Sequence, residues 1–540
     1  MGSRNDFGSG ECSEAEATCM TESKRANSQG IATVDRGLAA TAARGASFTS
    51  TQALLNKIAT IGAMWVIALR LTPDEFGMAA LTLAVGVFLV ILPPLTIGDV
   101  LVTHRRRFAL VAPAATSIAL SIGGATTILI AIVAPLIAMF YSNYPAGILT
   151  GLVWVVALRP IGDGLCPLPL ARLRLDFRYS SIAIIDGVVQ LCATITTVVL
   201  AFLSFGALAL VLPQVVAVFA KAILYRSAVR KQSNPQAELA TRPVASWIRD
   251  RVRRRLWREF LLAAMAQYVH NIVVLLPVLV LGYFASEEQT GLYAFAFMLS
   301  AQANGLIASQ LGMVLQPIFG RFSHDMTRQV GAFVRVVRTI GAVAVPVTLL
   351  QAALAAPLFY LVFESKWDAA IQVFAVLSIL EGFYFATAPT MALLRAQGRF
   401  ATYFLWQASQ FIVSLIAFSF AASSYGAIGV AVCAACIWAV SLPIAVWICM
   451  GGSGSSIWLA TRIFLAPLST AAPIAIAVWV GLEVAQPLTQ TGNIIALVVV
   501  GPIALVCALL ATRISQPSAY SDLKPMVLKV LGIVRRLVSK

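Results

Sequence analysis

Long apolar stretches broken by short polar connections set the pattern of this chain. A helix needs about 20 mostly apolar residues to cross a hydrocarbon core of ~30 Å. Measured against that length, fourteen segments qualify: about 48–69, 77–101, 109–140, 147–168, 181–203, 207–225, 260–284, 291–317, 336–363, 371–394, 401–421, 427–449, 463–484 and 493–511. Alternating polar and apolar strands, the signature of a membrane β-barrel, are absent from the pattern. The expected fold is all-α, a polytopic bundle of about fourteen transmembrane helices.

Charge gives the expected orientation. After the even-numbered spans come Arg105–Arg107, then Arg172, Arg174 and Arg178, the basic run from Arg226 to Arg258, Arg321 to Arg338, Arg395 and Arg399, Arg462, and a tail holding Lys524, Arg535 and Lys540. The odd connections hold only Arg70 and Lys366, beside Asp74, Glu75, Glu287, Glu288, Glu364 and Asp368. Lys and Arg collect on the cytoplasmic side, so both termini are expected in the cytoplasm. Composition agrees: 59% of the 540 residues are hydrophobic, only 11% are charged, and the mean hydropathy is +0.86. A soluble domain carries about 25% charged residues. The net charge of +16 follows from the basic loops, and no nucleic-acid partner is needed to explain it.

The two halves echo one another. Leu71-Thr-Pro-Asp-Glu-Phe-Gly77 matches Ala285-Ser-Glu-Glu-Gln-Thr-Gly291, with the glycines 214 residues apart. Ser204-Phe-Gly-Ala matches Ser424-Tyr-Gly-Ala at 220 residues, and Arg178-Tyr179 matches Arg399-Phe400 at 221. Three ordered matches at a nearly constant offset indicate a duplication of six helices. Six is even, so the copies share one orientation, as in transporters that hold substrate between two lobes near the membrane midplane.

The organisation expected is therefore a disordered cytoplasmic arm (1–45), an N-terminal lobe of six helices (46–225), a basic amphipathic linker (226–259), a C-terminal lobe of six helices (260–450), helices 13 and 14 (451–511), and a basic cytoplasmic tail (512–540). The linker places Ile248, Val252 and Leu256 four apart between Trp247 and Trp257 among arginines, a face suited to anionic headgroups. In the tail, Met526, Val530, Ile533 and Leu537 form a similar stripe.

Leu69-Arg-Leu-Thr-Pro-Asp-Glu-Phe-Gly77 resembles the first external turn of the Wzx-type polysaccharide transporters, the oligosaccharide flippases of the MOP exporter superfamily. Leu173-Arg-Leu-Asp-Phe-Arg178, Ser204-Phe-Gly-Ala-Leu-Ala-Leu, Phe363-Glu-Ser-Lys-Trp-Asp368 and Leu394-Arg-Ala-Gln-Gly-Arg399 are similar to later stretches of that family. The resemblance implies a two-lobed, non-enzymatic exporter. It would move a lipid-linked oligosaccharide of the undecaprenyl pyrophosphate type across the bacterial inner membrane by alternating access, for surface or exopolysaccharide biosynthesis. It also implies a polysaccharide polymerase and a chain-length regulator as partners, beside the membrane lipids.

Polar side chains within the apolar spans mark where such a substrate could be held, because unsatisfied hydroxyls cost several kcal/mol in hydrocarbon. The first span carries Gln52, Asn56 and Lys57; the seventh carries Gln267, His270 and Asn271. At the repeat offset Asn56 falls on His270 and Lys57 on Asn271, a pairing suited to a pyrophosphate and sugar headgroup. Against this stand a snorkelling Lys57 and a His270 satisfied by a neighbouring helix. Arg159 joins the substrate set. Asp163, four residues on, and Glu381 in span 10 are the candidate sites for a coupling H⁺ or Na⁺. For Arg159 and Asp163 a structural ion pair is the competing reading. Cys433-x-x-Cys436 lacks a second pair and reads as packing, so neither a metal nor a cofactor is expected.

Two alternatives remain at this stage. One is a cation-coupled drug or metabolite antiporter of the same superfamily. The other is a membrane glycosyltransferase or O-antigen polymerase, against which the short external loops argue. An ATP-driven pump would need a phosphate-binding loop, and none occurs in the sequence.

Overall fold

The structure, a computed structural model, describes residue 56 and residues 59–522, apart from 93, 95, 104–107, 177, 231–245, 323–324, 452–456 and 486–488. The N-terminal arm, the first half of the linker and the amphipathic part of the tail lie outside the described residues, as do Gln52 and Lys57.

Each of the fourteen apolar segments carries helix among its described residues. Span 1 is described as Ala59–Arg70. Span 2 begins at Pro73, where Thr72 accepts from the Glu75 backbone N–H and Glu75 returns a bond to the Thr72 N–H, a reciprocal capping box with proline at the first helical position. Span 3 is Phe108–Phe140, span 5 Tyr179–Phe202, span 6 Leu208–Arg230 and span 8 Glu287–Arg321. Spans 11 and 12 run together over Phe400–Met450 across a kink at Gly426, whose φ of 58° and ψ of −142° suit only glycine. Nine described helices are long and apolar enough to cross a membrane, the pair fused at Gly426 counting as one. The chain is a multi-pass membrane protein. A belt of exposed side chains such as Ile132, Met139, Ile223, Ile416 and Trp458 supplies the lipid-facing surface.

Several spans depart from simple rods. Span 2 was expected as one segment from 77 to 101; instead the helix ends at Leu89 and resumes as Thr96–Thr103. Pro93 and Pro94 lie in the gap, and proline cannot continue a helix ladder. Span 4 is broken into Ala146–Ala157, Arg159–Leu165 and Pro167–Leu175, at the Pro and Gly residues that mark its sequence. Its repeat mate, span 10, breaks similarly into Ala370–Tyr384 and Thr387–Ala396. In span 7 the linker's basic half is no separate element. One helix, Ser246–Phe284, carries it into the membrane without interruption, so residue 260 is a boundary of composition only. Its 39 residues rise about 58 Å, well beyond the hydrocarbon core.

The duplication extends to individual hydrogen bonds. Ser286 caps span 8 by accepting from the Gln289 N–H, as Thr72 caps span 2. Gly206 at φ 54° packs against Glu75, and Gly426 against Gln289, each with its side-chain Oε1 2.8 Å from where a Cβ would stand. Arg178 donates to the Ala228 carbonyl at the end of span 6, and Arg399 to the Ile448 carbonyl at the end of span 12. Spans 13 (Ile457–Leu468 and Ala471–Ala485) and 14 (Gln490–Ser515) stand outside the repeat and pack through Ile474, Val478, Val500 and Ala504 on Leu354 of span 9.

Candidate functional site

The lobes meet most closely at the acidic edge of the bundle, where spans 2 and 8 cross. A Cβ on Gly77 would fall on the carbonyl oxygen of Glu287 and stand 2.8 Å from the Gly291 nitrogen; one on Gly291 would fall on the Pro73 carbonyl and stand 2.9 Å from the Gly77 nitrogen. Only hydrogen fits on either side, so backbone meets backbone. Beside the crossing, Phe76 sets its edge against Phe295 and Trp367, while Phe295 and Trp367 stack with centroids 4.0 Å apart. Trp367 donates its indole N–H to the Ala68 carbonyl at 2.9 Å, and Lys366 reaches the Leu69 carbonyl at 3.0 Å, so the span 9–10 turn caps the end of span 1.

The loop after span 3 completes the contact. Tyr144 donates to Thr290 Oγ1 at 3.0 Å and Asn143 to the Ala285 carbonyl at 3.0 Å. Burial holds the Tyr144 phenol above its ordinary pKa. Glu287 is also raised, first by burial and then by the nearby charge of Asp74. This edge is thus closed by carbonyl capping and aromatic packing, which hold two mutually repelling acidic turns side by side.

Among the described residues, the interior polar groups expected from sequence do not form one cluster. His270 takes a bond from Gln407 Nε2 at 2.9 Å, which makes Nδ1 the acceptor and assigns the ring proton to Nε2. That bond lies wholly within the second lobe, between spans 7 and 11. Asn271 is half-buried beside it, and Asn56 is half-buried on span 1, its carbonyl accepting from Thr60. Gln267 lies on span 7, its side chain outside the description.

Arg159 and Asp163 face each other in the first lobe, Nε to Oδ2 at 3.7 Å, which is the ion-pair geometry. Nearby in the same lobe, Lys221 pairs with Asp186 at 3.1 Å and Tyr225 donates to Asp186 at 2.8 Å. Glu381 is 5% exposed, in the last turns of span 10 before its break, close to Tyr293 and Tyr384. The structure therefore divides the described members of the sequence-derived set between lobes.

Sequence reasoning passed over part of the second-lobe cluster. Gln407 and Gln410, buried at 1% and 3% exposure, lie three apart on span 11. Gln410 donates to Ser441 on span 12, while its Oε1 and the neighbouring Trp406 Nε1 have no hydrogen-bond partner in the structure. Arg395 lies over the Tyr403 ring at 6.0 Å. The available signal was two amides at helical spacing within an apolar run.

The family described as polysaccharide biosynthesis protein matches residues 66–372. Over 392 residues, covering 71% of this chain and 75% of the relative, the chain is 24% identical to the succinoglycan biosynthesis transport protein ExoT of Rhizobium meliloti (strain 1021). Among solved structures, the lipid II flippase MurJ in an inward closed conformation aligns with a TM-score of 0.66 at 14% identity, over 88% of this chain and 99% of that one. An inward-facing multidrug resistance MATE family transporter of the MOP superfamily aligns at 0.58 and 12% identity, over 76% of this chain and 96% of that one. At such identities these two structures report the fold alone.

Proposed function

The chain belongs to the polysaccharide biosynthesis protein family, and from that premise we propose that it is a transporter that flips a lipid-linked oligosaccharide across the bacterial inner membrane. The observation that carries this reading is the pair of duplicated lobes joined at one edge by Gly77 and Gly291. Two like bundles hinged at one edge can part at the other, which is what alternating access requires. The relative named as a succinoglycan biosynthesis transport protein supports a glycan cargo, and the fold shared with a lipid II flippase supports a lipid-linked one.

On this reading the acidic edge faces the outside and the basic loops face the cytoplasm, with both termini cytoplasmic. Lys57, Asn56, Gln52 and Arg159 on one lobe, and His270, Asn271 and Gln267 on the other, supply headgroup contacts. The amides and imidazole bond to sugar hydroxyls, and the cations balance pyrophosphate. Asp163 and Glu381 are the proposed sites for a coupling H⁺ or Na⁺. The protein makes and breaks no covalent bond; a polymerase and a chain-length regulator act on the delivered unit.

Deletion of the gene tests the reading. The lipid-linked unit is expected to accumulate on the cytoplasmic leaflet while surface glycan disappears, and normal surface glycan would overturn the assignment. Lys57→Met is expected to cut transport at least tenfold with the folded protein retained.

A further inference from the structure

Lys221 of span 6 has two carboxyl groups within range. Its Nζ stands 3.1 Å from Asp186 Oδ1 on span 5, and Tyr225 donates to that same oxygen at 2.8 Å. The pair lies about 10 Å inside the basic end of the bundle, counted from Tyr179 where span 5 begins. Asp163 lies beside it on span 4, which crosses span 6 closely. A Cβ on Gly162 would stand 2.8 Å from Val218 Cγ1, and the Cys166 thiol reaches the carbonyls of Gly162 and Val218. Lys221 follows Val218 by one turn of the same helix, and its charge acts on Asp163. Resting on the reading of Asp163 as a coupling site, we propose that Lys221 is the positioning residue of that carboxyl: it pairs with Asp186 while Asp163 holds the coupling proton, and crosses to Asp163 when the proton leaves.

The bonding is unequal. Asp186 Oδ1 receives both the ammonium and the buried Tyr225 hydroxyl, so it keeps a donor when the lysine departs. Asp163 faces Arg159 at 3.7 Å, beyond hydrogen-bond length. A neutral carboxyl is content with that arrangement, whereas an ionised one draws the nearby ammonium, which rides on a flexible four-carbon stem. The charges are also wetted. Lys221 and Asp186 expose 32% and 42% of their side chains, turned away from the lipid-facing stripes of Val216 and Ile223 on span 6 and of Ile184, Val188 and Ile195 on span 5. Exposed charge within a span lies against water rather than acyl chains, so a proton leaving Asp163 has an exit at the basic end. A proton suits this place better than Na⁺, because the neighbours of Asp163 offer an ammonium, a guanidinium and a thiol, not a shell of oxygens. In the step, the Asp163 O–H bond breaks, water takes the proton, and the ammonium changes carboxylates; the cluster's net charge falls by one.

Few groups face this carboxyl. Span 4 supplies Arg159 and Cys166, with Arg174 farther along toward Tyr225; span 5 supplies Asp186; span 6 supplies Lys221 and Tyr225. Span 3 packs on the other side through Ala119 and Gly123, and its sequence has no titratable residue from 108 to 140. The second half of span 2, whose Gly98 rests on Pro167, carries Asp99 in its sequence.

The test is an infrared difference titration of the full-length protein in liposomes, reading the carboxylic-acid band of Asp163, which is assigned by its loss in Asp163→Asn. Lys221→Gln removes the competing cation, so the band's midpoint is expected to rise by about one pH unit or more; Lys221→Arg, which keeps the charge, should leave it near wild type. Asp186→Asn frees the lysine for Asp163, so there the midpoint is expected to fall. Equal midpoints in wild type and Lys221→Gln overturn the proposal. So do shifts of one sign in Lys221→Gln and Asp186→Asn, the result that damaged packing alone would give. The pH profile of oligosaccharide flipping by the same liposomes is expected to follow the band in both directions, and a profile that stays fixed overturns the role of Lys221 in transport. Failure of the wild type to move any lipid-linked oligosaccharide refutes the transporter reading itself, and the coupling role with it, even where the band moves as expected.

Discussion

Gly77 and Gly291, equivalent residues of the two repeats, touch backbone to backbone where spans 2 and 8 cross. Each lies against the carbonyl four residues before the other, Glu287 for Gly77 and Pro73 for Gly291. The contact is isologous, the form a two-fold axis produces at its own centre.

Any side chain at the crossing forces the spans apart. Gly77→Val and Gly291→Val are each expected to cost about 1–3 kcal/mol of the closed arrangement, the usual range for overpacking. The double variant should cost less than the sum, because one displacement relieves both clashes. Spin labels on the acidic edge of spans 2 and 8 would report a longer separation than in wild type, and an unchanged distance would show that the crossing is not a fulcrum.

The same edge should respond to acid. Glu287 is raised by burial and by Asp74 in the closed arrangement, so that arrangement binds its proton more tightly than an opened one does. A raised carboxyl favours closure below the ordinary glutamate range and loses that advantage as pH climbs through the raised value. Reactivity of a cysteine introduced at Thr290 is therefore expected to fall as pH is lowered from 7 toward 4, and Glu287→Gln should flatten the response. Tyr144, whose phenol burial holds above its ordinary pKa, stays protonated throughout this window and contributes no slope.

Arg178 and Arg399 make one prediction twice. Each opens a helix and donates to a terminal carbonyl of the next, Ala228 or Ile448, where the helix dipole is negative. Replacing either by Ala is expected to cost about 1.5 kcal/mol. Limited proteolysis should show loosening confined to spans 5–6 for Arg178→Ala and spans 11–12 for Arg399→Ala. Loosening of the opposite lobe would separate the duplication from its mechanical meaning.

The duplication was legible in sequence because its matched turns carry backbone chemistry. Thr72 and Ser286 cap, Gly206 and Gly426 adopt positive φ, and Arg178 and Arg399 reach the next helix end; few residue types do each job. The contact of Gly77 with Gly291 was not legible, since a small residue in a sequence does not name what approaches it. The break in span 2 could have been read from Pro93 and Pro94, but a hydropathy window runs straight through two prolines. The polar pairing expected between spans 1 and 7 came from register alone. Register aligns repeats without saying which faces turn inward, and His270 turns toward Gln407 of its own lobe.

That bond poses the question the candidate site must answer, whether His270 holds the lobe together or contacts cargo. Gln407→Leu leaves a buried imidazole nitrogen without its donor and is expected to cost about 1–3 kcal/mol of stability, read as a lower melting temperature in detergent. Pairing it with His270→Phe removes both polar groups and should restore most of that loss. Transport then decides the role. If His270 serves packing only, the stabilised double variant exports glycan at the wild-type rate. If the imidazole bonds to a sugar hydroxyl, the double variant folds normally yet transports at least tenfold more slowly. The second outcome is the one expected of a residue at the midpoint of a helix that joins the basic edge to the closed one.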